Sequence, residues 1–222
     1  MQSPVMPAFP LGLIEDASRA FKPSELAYLA LTSKIERPFM DRFAFAAQAA
    51  LQGDGSLVAR EFAVPGAGRA DVAILKNNQV RCIVEGKAMT AADCTRAEPR
   101  RREYADHLQR DLARYASAPL PAADIYCVLL GIHPLALLPS ELRPVVKYHG
   151  LLNGAFRRLQ TPDRIRAEAD TSLRGYLRVD AVIGSGAFEG GVAFGIPVEV
   201  LWWCFGPFRT PAGLSILRGH AP

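Results

Sequence analysis

Between Ser56 and Ala88 three strand-like runs follow one another with only short turns between them, which leaves few folds open. Ser56 to Phe62 reads as a first strand and Pro65-Gly66-Ala67-Gly68 as a turn. Arg69 to Leu75 is a second strand, Lys76-Asn77-Asn78-Gln79 a second turn, and Val80 to Ala88 a third strand. Connections this short join antiparallel neighbours, so the segment predicts a meander. Asp124 to Ile132 is a continuous apolar run, as expected of a strand covered on both faces. A charged helical pattern from about Pro99 to Ala116 separates it from the meander, with Tyr104, Leu108, Leu112 and Tyr115 as its apolar stripe. Strands alternating with helices predict an α/β class with a mixed central sheet flanked by helices.

The flanking segments are less regular. Residues 1–22 are rich in proline and read as an irregular arm. Ser24 stands as N-cap of a short helix, and a second helix begins near Glu36 with Pro38 in its first turn, presenting Phe39, Phe43, Ala46, Ala47 and Ala50 on one side. Beyond residue 133, 139–160 look partly helical, and Thr161-Pro162-Asp163 opens a helix through about Ala169. Residues 175–183 and 196–205 look like strands, and Gly184-Ser185-Gly186 with Gly190-Gly191 reads as a flexible hairpin. The 222 residues suit one domain with one sizeable core.

Composition sets outer bounds. A net charge of +4 is compatible with a nucleic-acid partner without demanding one. Cys82, Cys94, Cys127 and Cys204 form no CxxC pair and sit in apolar flanks, so buried reduced thiols are expected. The N-terminus has no basic leader, and no run of about 18 uncharged apolar residues occurs. A cytoplasmic protein that does not enter membranes is the expectation. There is no GxSxG elbow, no phosphate-binding loop and no metal-ligand spacing among the four histidines; His133 ends the apolar strand and reads as structural.

The chemistry concentrates on the second and third strands. Side chains alternate along a strand, so Glu85 and Lys87 project from one face, and a short hairpin brings Asp71 beside them. Two carboxylates suit a hard divalent cation such as Mg²⁺, with Mn²⁺ as a substitute, leaving water and substrate phosphate at its other positions. Lys87 can orient the attacking water or stabilise charge on the phosphate. The competing reading is a solvated ion pair on a half-exposed ribbon. Against it, the acids lie in the apolar runs Asp71-Val72-Ala73-Ile74-Leu75 and Cys82-Ile83-Val84-Glu85-Gly86-Lys87-Ala88, where a charge needs a partner or a use.

A helix with Glu36, a strand with Arg60-Glu61, Gly68-Arg69-Ala70-Asp71, Ile83-Val84-Glu85-Gly86-Lys87, and a helix with Asp111-Leu112-Ala113-Arg114-Tyr115 follow in order. This order resembles the PD-(D/E)xK nuclease superfamily, which includes restriction endonucleases, junction resolvases and repair exonucleases. The resemblance covers about residues 25–133 and implies a restriction-endonuclease-like αβββαβ core, with 134–222 an extension of the same domain. It implies Asp71 and Glu85 as metal ligands, the Gly86 backbone carbonyl as a third, and Lys87 as the catalytic lysine. Glu36 matches an acidic residue on the preceding helix, with Glu25 and Asp41 as rivals for that place. Many members carry Gln-x-x-x-Tyr on the later helix; here Asp111 replaces the glutamine and Tyr115 stands at the matching position. An ionised aspartate cannot donate the amide hydrogen bond, so that role does not transfer directly.

Candidate nucleic-acid contacts are Arg60, Arg69, Arg101, Arg114 and Tyr115, within a basic run that includes Arg96, Arg100, Arg102 and Arg110; Arg157, Arg158, Arg164 and Arg166 form a second cluster. The expected activity is Mg²⁺-dependent hydrolysis of DNA phosphodiesters by an endonuclease of restriction or defence, with RNA and branched DNA within the same chemistry. Two cuts on a duplex suit a homodimer. The rival expectation is an inactive nuclease-like module that binds nucleic acid or protein.

Overall fold

The structure, a computed structural model, describes residues 9–95, 103–116, 118, 120, 123–176 and 181–209. Its element order is α1 (Leu11–Arg19), α2 (Glu25–Thr32), α3 (Glu36–Ala50), β1 (Ser56–Val64), β2 (Gly68–Lys76) and β3 (Gln79–Thr90). After a 3-10 turn at Asp93–Thr95 come α4 (Glu103–Ala116), β4 (Asp124–Pro134), α5 (His149–Leu159), α6 (Pro162–Tyr176), β5 (Val182–Ala193) and β6 (Ile196–Arg209). The strands form one mixed sheet in the order β1-β2-β3-β4-β6-β5. β1, β2 and β3 are antiparallel, β3 and β4 parallel, and β6 antiparallel to both β4 and β5. The chain is thus α/β, and the meander and the covered strand lie where the sequence put them.

Alternation along β3 fixes which helices cover which face. Even-numbered Gly86 faces Met40 of α3, while odd-numbered Glu85 and Lys87 face Tyr115 and Asp111 of α4. Lys87 is in register with Leu129 of β4, and Leu129 with Trp203 of β6, whose indole N–H donates to Asp170 of α6 at 3.1 Å. α4 and α6 therefore share one face of the sheet. On the other, Phe39 of α3 stacks on Phe188 of β5 with ring centroids 5.6 Å apart. β4 is buried on both faces from Ile125 to Pro134, as its unbroken apolar run requires. The four cysteines are buried and free. Among the described residues, no helix is long and apolar enough to cross a membrane.

Three expectations for the ends of the chain need correction. Residues 11–19, expected to be irregular, form α1, because Leu13, Ile14 and Ala17 make a buried stripe at helical spacing. The strand expected over 175–183 begins later: Gly175 and Tyr176 end α6, along which Ile165, Ala169 and Leu173 are buried, residues 177–180 lie outside the described residues, and only Val182 and Ile183 belong to β5. Gly184-Ser185-Gly186 is not a hairpin but part of β5, whose glycines answer to close packing. A Cβ at Gly184 would lie 2.7 Å from the Leu11 side chain, and one at Gly186 3.0 Å from the Trp202 ring. Ser24 precedes α2 but makes no capping bond; its hydroxyl accepts from Val192 N–H at 3.2 Å and ties α2 to β5.

Candidate active site

The site forms where β2 and β3 part. Their ladder runs as far as Val72 opposite Val84, whereas β3 stays paired with β4 through Thr90. Beyond that point the β3 N–H groups on the β2 side need acceptors other than a strand. Gly86 N–H donates to Asp71 Oδ2 at 2.8 Å, and Ala88 N–H donates to Glu36 Oε2 at 3.0 Å. Two carboxylates thus replace the missing ladder and stand side by side along β3. Gly86 makes this closeness possible, because a Cβ there would lie 2.7 Å from Met40 Cγ on α3. Glu36 is the first residue of α3, where the helix dipole favours a negative charge.

Glu85 points toward α4, across the strand pair from Asp71, and is 1% exposed. Its Oε1 accepts a short hydrogen bond from the Tyr115 hydroxyl, and Arg114 Nη2 stands 3.7 Å away. Burial, then the charge of Asp71, pushes the Glu85 pKa up to about 8. The Tyr115 phenol is likewise held well above its ordinary range by burial and by Glu85. Burial also raises the Glu36 pKa, against the pull of nearby Lys87. For Lys87 burial opposes the charge, but the ion pair with Asp111 and the fields of Glu36 and Glu85 outweigh it and raise the pKa. Lys87 Nζ is 2.8 Å from Asp111 Oδ2, and Asp111 Oδ1 is 2.8 Å from Arg114 Nη2.

The three acids that competed for one role separate here. Glu25 pairs with Arg42 at 3.3 Å and Asp41 pairs with Arg60, leaving Glu36 as the one beside Lys87. Arg60 is therefore occupied by Asp41 rather than presented alone to a ligand. Arg69 is exposed at the start of β2. Arg114 is 41% exposed, with its guanidinium 5.6 Å from the Tyr115 ring centroid. Tyr115, expected to contact nucleic acid, is fully buried, so its ring has no face for a base; what it touches is Glu85. Arg101, with Arg96, Arg100 and Arg102, lies outside the described residues. The sequence marks Asp111 but not its ion pair with Lys87, which is tertiary; the local signal is the i,i+3 spacing to Arg114.

The donor set fits a hard divalent ion. Asp71 binds Gly86 through Oδ2 and Glu85 binds Tyr115 through Oε1, so each keeps a second oxygen that takes no protein hydrogen bond among the described residues. Burial and then the Asp71 charge raise the Glu85 pKa, and a cation between the two carboxylates would relieve the second of these. Among the described residues no three His, Cys, Asp or Glu side chains converge to form a cage. Mg²⁺ needs none, since one or two carboxylates with water and phosphate suffice. The chain matches no protein-family model, no curated protein and no solved structure.

Proposed function

We propose that this chain is a Mg²⁺-dependent nuclease that hydrolyses DNA phosphodiester bonds, cutting internally in a restriction or defence role. One observation carries the reading: Asp71, Glu85 and Lys87, from adjacent strands, meet Glu36 from a separate helix at the point where the strands part. Asp71, Glu85 and the Gly86 carbonyl would hold the ion, with Mn²⁺ as a substitute. When bound, such an ion acidifies water and neutralises charge on the scissile phosphate. Lys87, 21% exposed and cationic, donates to a phosphate oxygen and stabilises the charge that builds there. Glu36, its pKa raised by burial, is suited to accept a proton from the attacking water. Arg69 and Arg114 contribute positive charge toward the strand.

Duplex cleavage needs two cuts, so a homodimer is the assembly this reading favours. The rival, a module that binds without cutting, draws on the ion pairs that already engage Lys87 and Arg114 through Asp111. Relaxation of supercoiled plasmid, with Mg²⁺ or with EDTA, tests the two. The wild type should nick and Lys87→Ala should not, with no nicking in EDTA. If both proteins are equally inert on duplex, single-stranded and branched DNA and on RNA, the binding reading replaces this one.

A further inference from the structure

We infer that Asp111 is a positioning residue, whose carboxylate, held between the Lys87 ammonium and the Arg114 guanidinium, fixes where both cations face the substrate. The role of the cations rests on the nuclease reading, but the bridge itself is geometry. Each Asp111 oxygen takes one cation at 2.8 Å, Lys87 through Oδ2 and Arg114 through Oδ1. Lys87 has a point-like head on four rotatable bonds, so an unanchored ammonium would sample many positions. Asp111 is 15% exposed and sits below both cations, with Lys87 at 21% and Arg114 at 41%. Tyr115, one turn further along α4, bonds Glu85. A single helix therefore orients both Glu85 and Lys87 of β3.

An acid so close to a phosphate-binding position opposes the binding of a polyanion. Removing it should favour substrate binding while loosening the cation that acts in the reaction. Asp111→Asn and Asp111→Ala should lower kcat about 10- to 100-fold through misplacement of Lys87. The same variants should leave KM for DNA unchanged or reduce it by roughly two- to tenfold, because one repulsive charge is gone. Asp111→Glu, which keeps the charge on a longer arm, should recover part of kcat. Because Asp111 acts mainly through Lys87, the Lys87→Ala/Asp111→Ala double variant should be slower than Lys87→Ala by much less than the full Asp111→Ala factor, the remainder running through Arg114.

A readout independent of cleavage completes the test. The full-length chain is treated in EDTA with an amine-reactive N-hydroxysuccinimide ester, and acylation at Lys87 is followed by peptide mass spectrometry with Lys76 as internal standard. Asp111→Asn should increase the Lys87 rate several-fold while Lys76 is unchanged. Unaltered Lys87 acylation in both Asp111→Asn and Asp111→Ala overturns the inference. So does a raised KM with kcat intact, or a double variant slower than Lys87→Ala by the full Asp111→Ala factor. If the wild type cuts no nucleic acid, the nuclease reading fails, and the acylation rates alone decide whether Asp111 anchors Lys87.

Discussion

Replacing Glu85 with Gln should make the protein more stable at alkaline pH and leave it nearly unchanged at pH 5. Glu85 is 1% exposed, and its pKa rises from 4.5 to about 8, chiefly through burial and then through Asp71. Between those values the folded protein retains a proton that the unfolded chain has released. Stability contributed at this position is therefore complete below about pH 4.5, falls as pH rises, and levels off above about 8. At about 1.4 kcal/mol per tenfold change in proton affinity, the ceiling is roughly 5 kcal/mol. Water entry and movement of the partly exposed Arg114 relax the buried charge, so on the order of 3 kcal/mol should be measurable. Glutamine keeps the shape and an acceptor for Tyr115 but does not titrate. Urea unfolding in EDTA at several pH values gives the difference between variant and wild type directly. It should widen by about 3 kcal/mol from pH 5 to pH 9 and then flatten. Parallel curves, with a difference constant across that range, would refute the assignment of a buried, charge-repelled carboxyl.

The same proton links the site to metal. Mg²⁺ should raise the Tm of the wild type, more at pH 8 than at pH 6 because the ion must displace the Glu85 proton, and Asp71→Asn should lose this effect in a thermal melt. Lys87→Ala should keep the wild-type far-ultraviolet spectrum and lower single-turnover cleavage about 10²- to 10⁴-fold. Tyr115→Phe removes the hydroxyl that holds the Glu85 pKa down; its rising pH limb for cleavage should move to higher pH by about one unit. Gly86→Ala should destabilise the fold by about 1–3 kcal/mol in urea unfolding, since its Cβ would lie 2.7 Å from Met40 Cγ. Combined with Met40→Ala, it should cost less than the sum of the two changes.

What the sequence made legible follows from how local each signal is. The meander is marked by turn residues and period, and its alternation alone brings Asp71, Glu85 and Lys87 near one another. Glu36 was harder, because three acids on two helices competed; the tertiary partners Arg42 and Arg60 removed two of them. The Asp111–Lys87 bond joins residues on different elements and has no spacing of its own. The ends of the chain misled for a physical reason. Glycines in β5 that read as a turn are small because Leu11 and Trp202 press on them, and prolines ahead of α1 masked a short buried stripe. Tyr115 carried a helical-face signal that suits a core tyrosine as well as a surface one, and burial decides between them.

Single-turnover cleavage of a labelled DNA duplex by the wild type and by Asp71→Asn, each with Mg²⁺ and with EDTA, tests the central claim most directly. Internal cuts by the wild type are expected with Mg²⁺, and none in EDTA or with the variant. Cleavage that survives both EDTA and Asp71→Asn would contradict it, as would a wild type that leaves every DNA and RNA substrate intact with Mg²⁺ and with Mn²⁺.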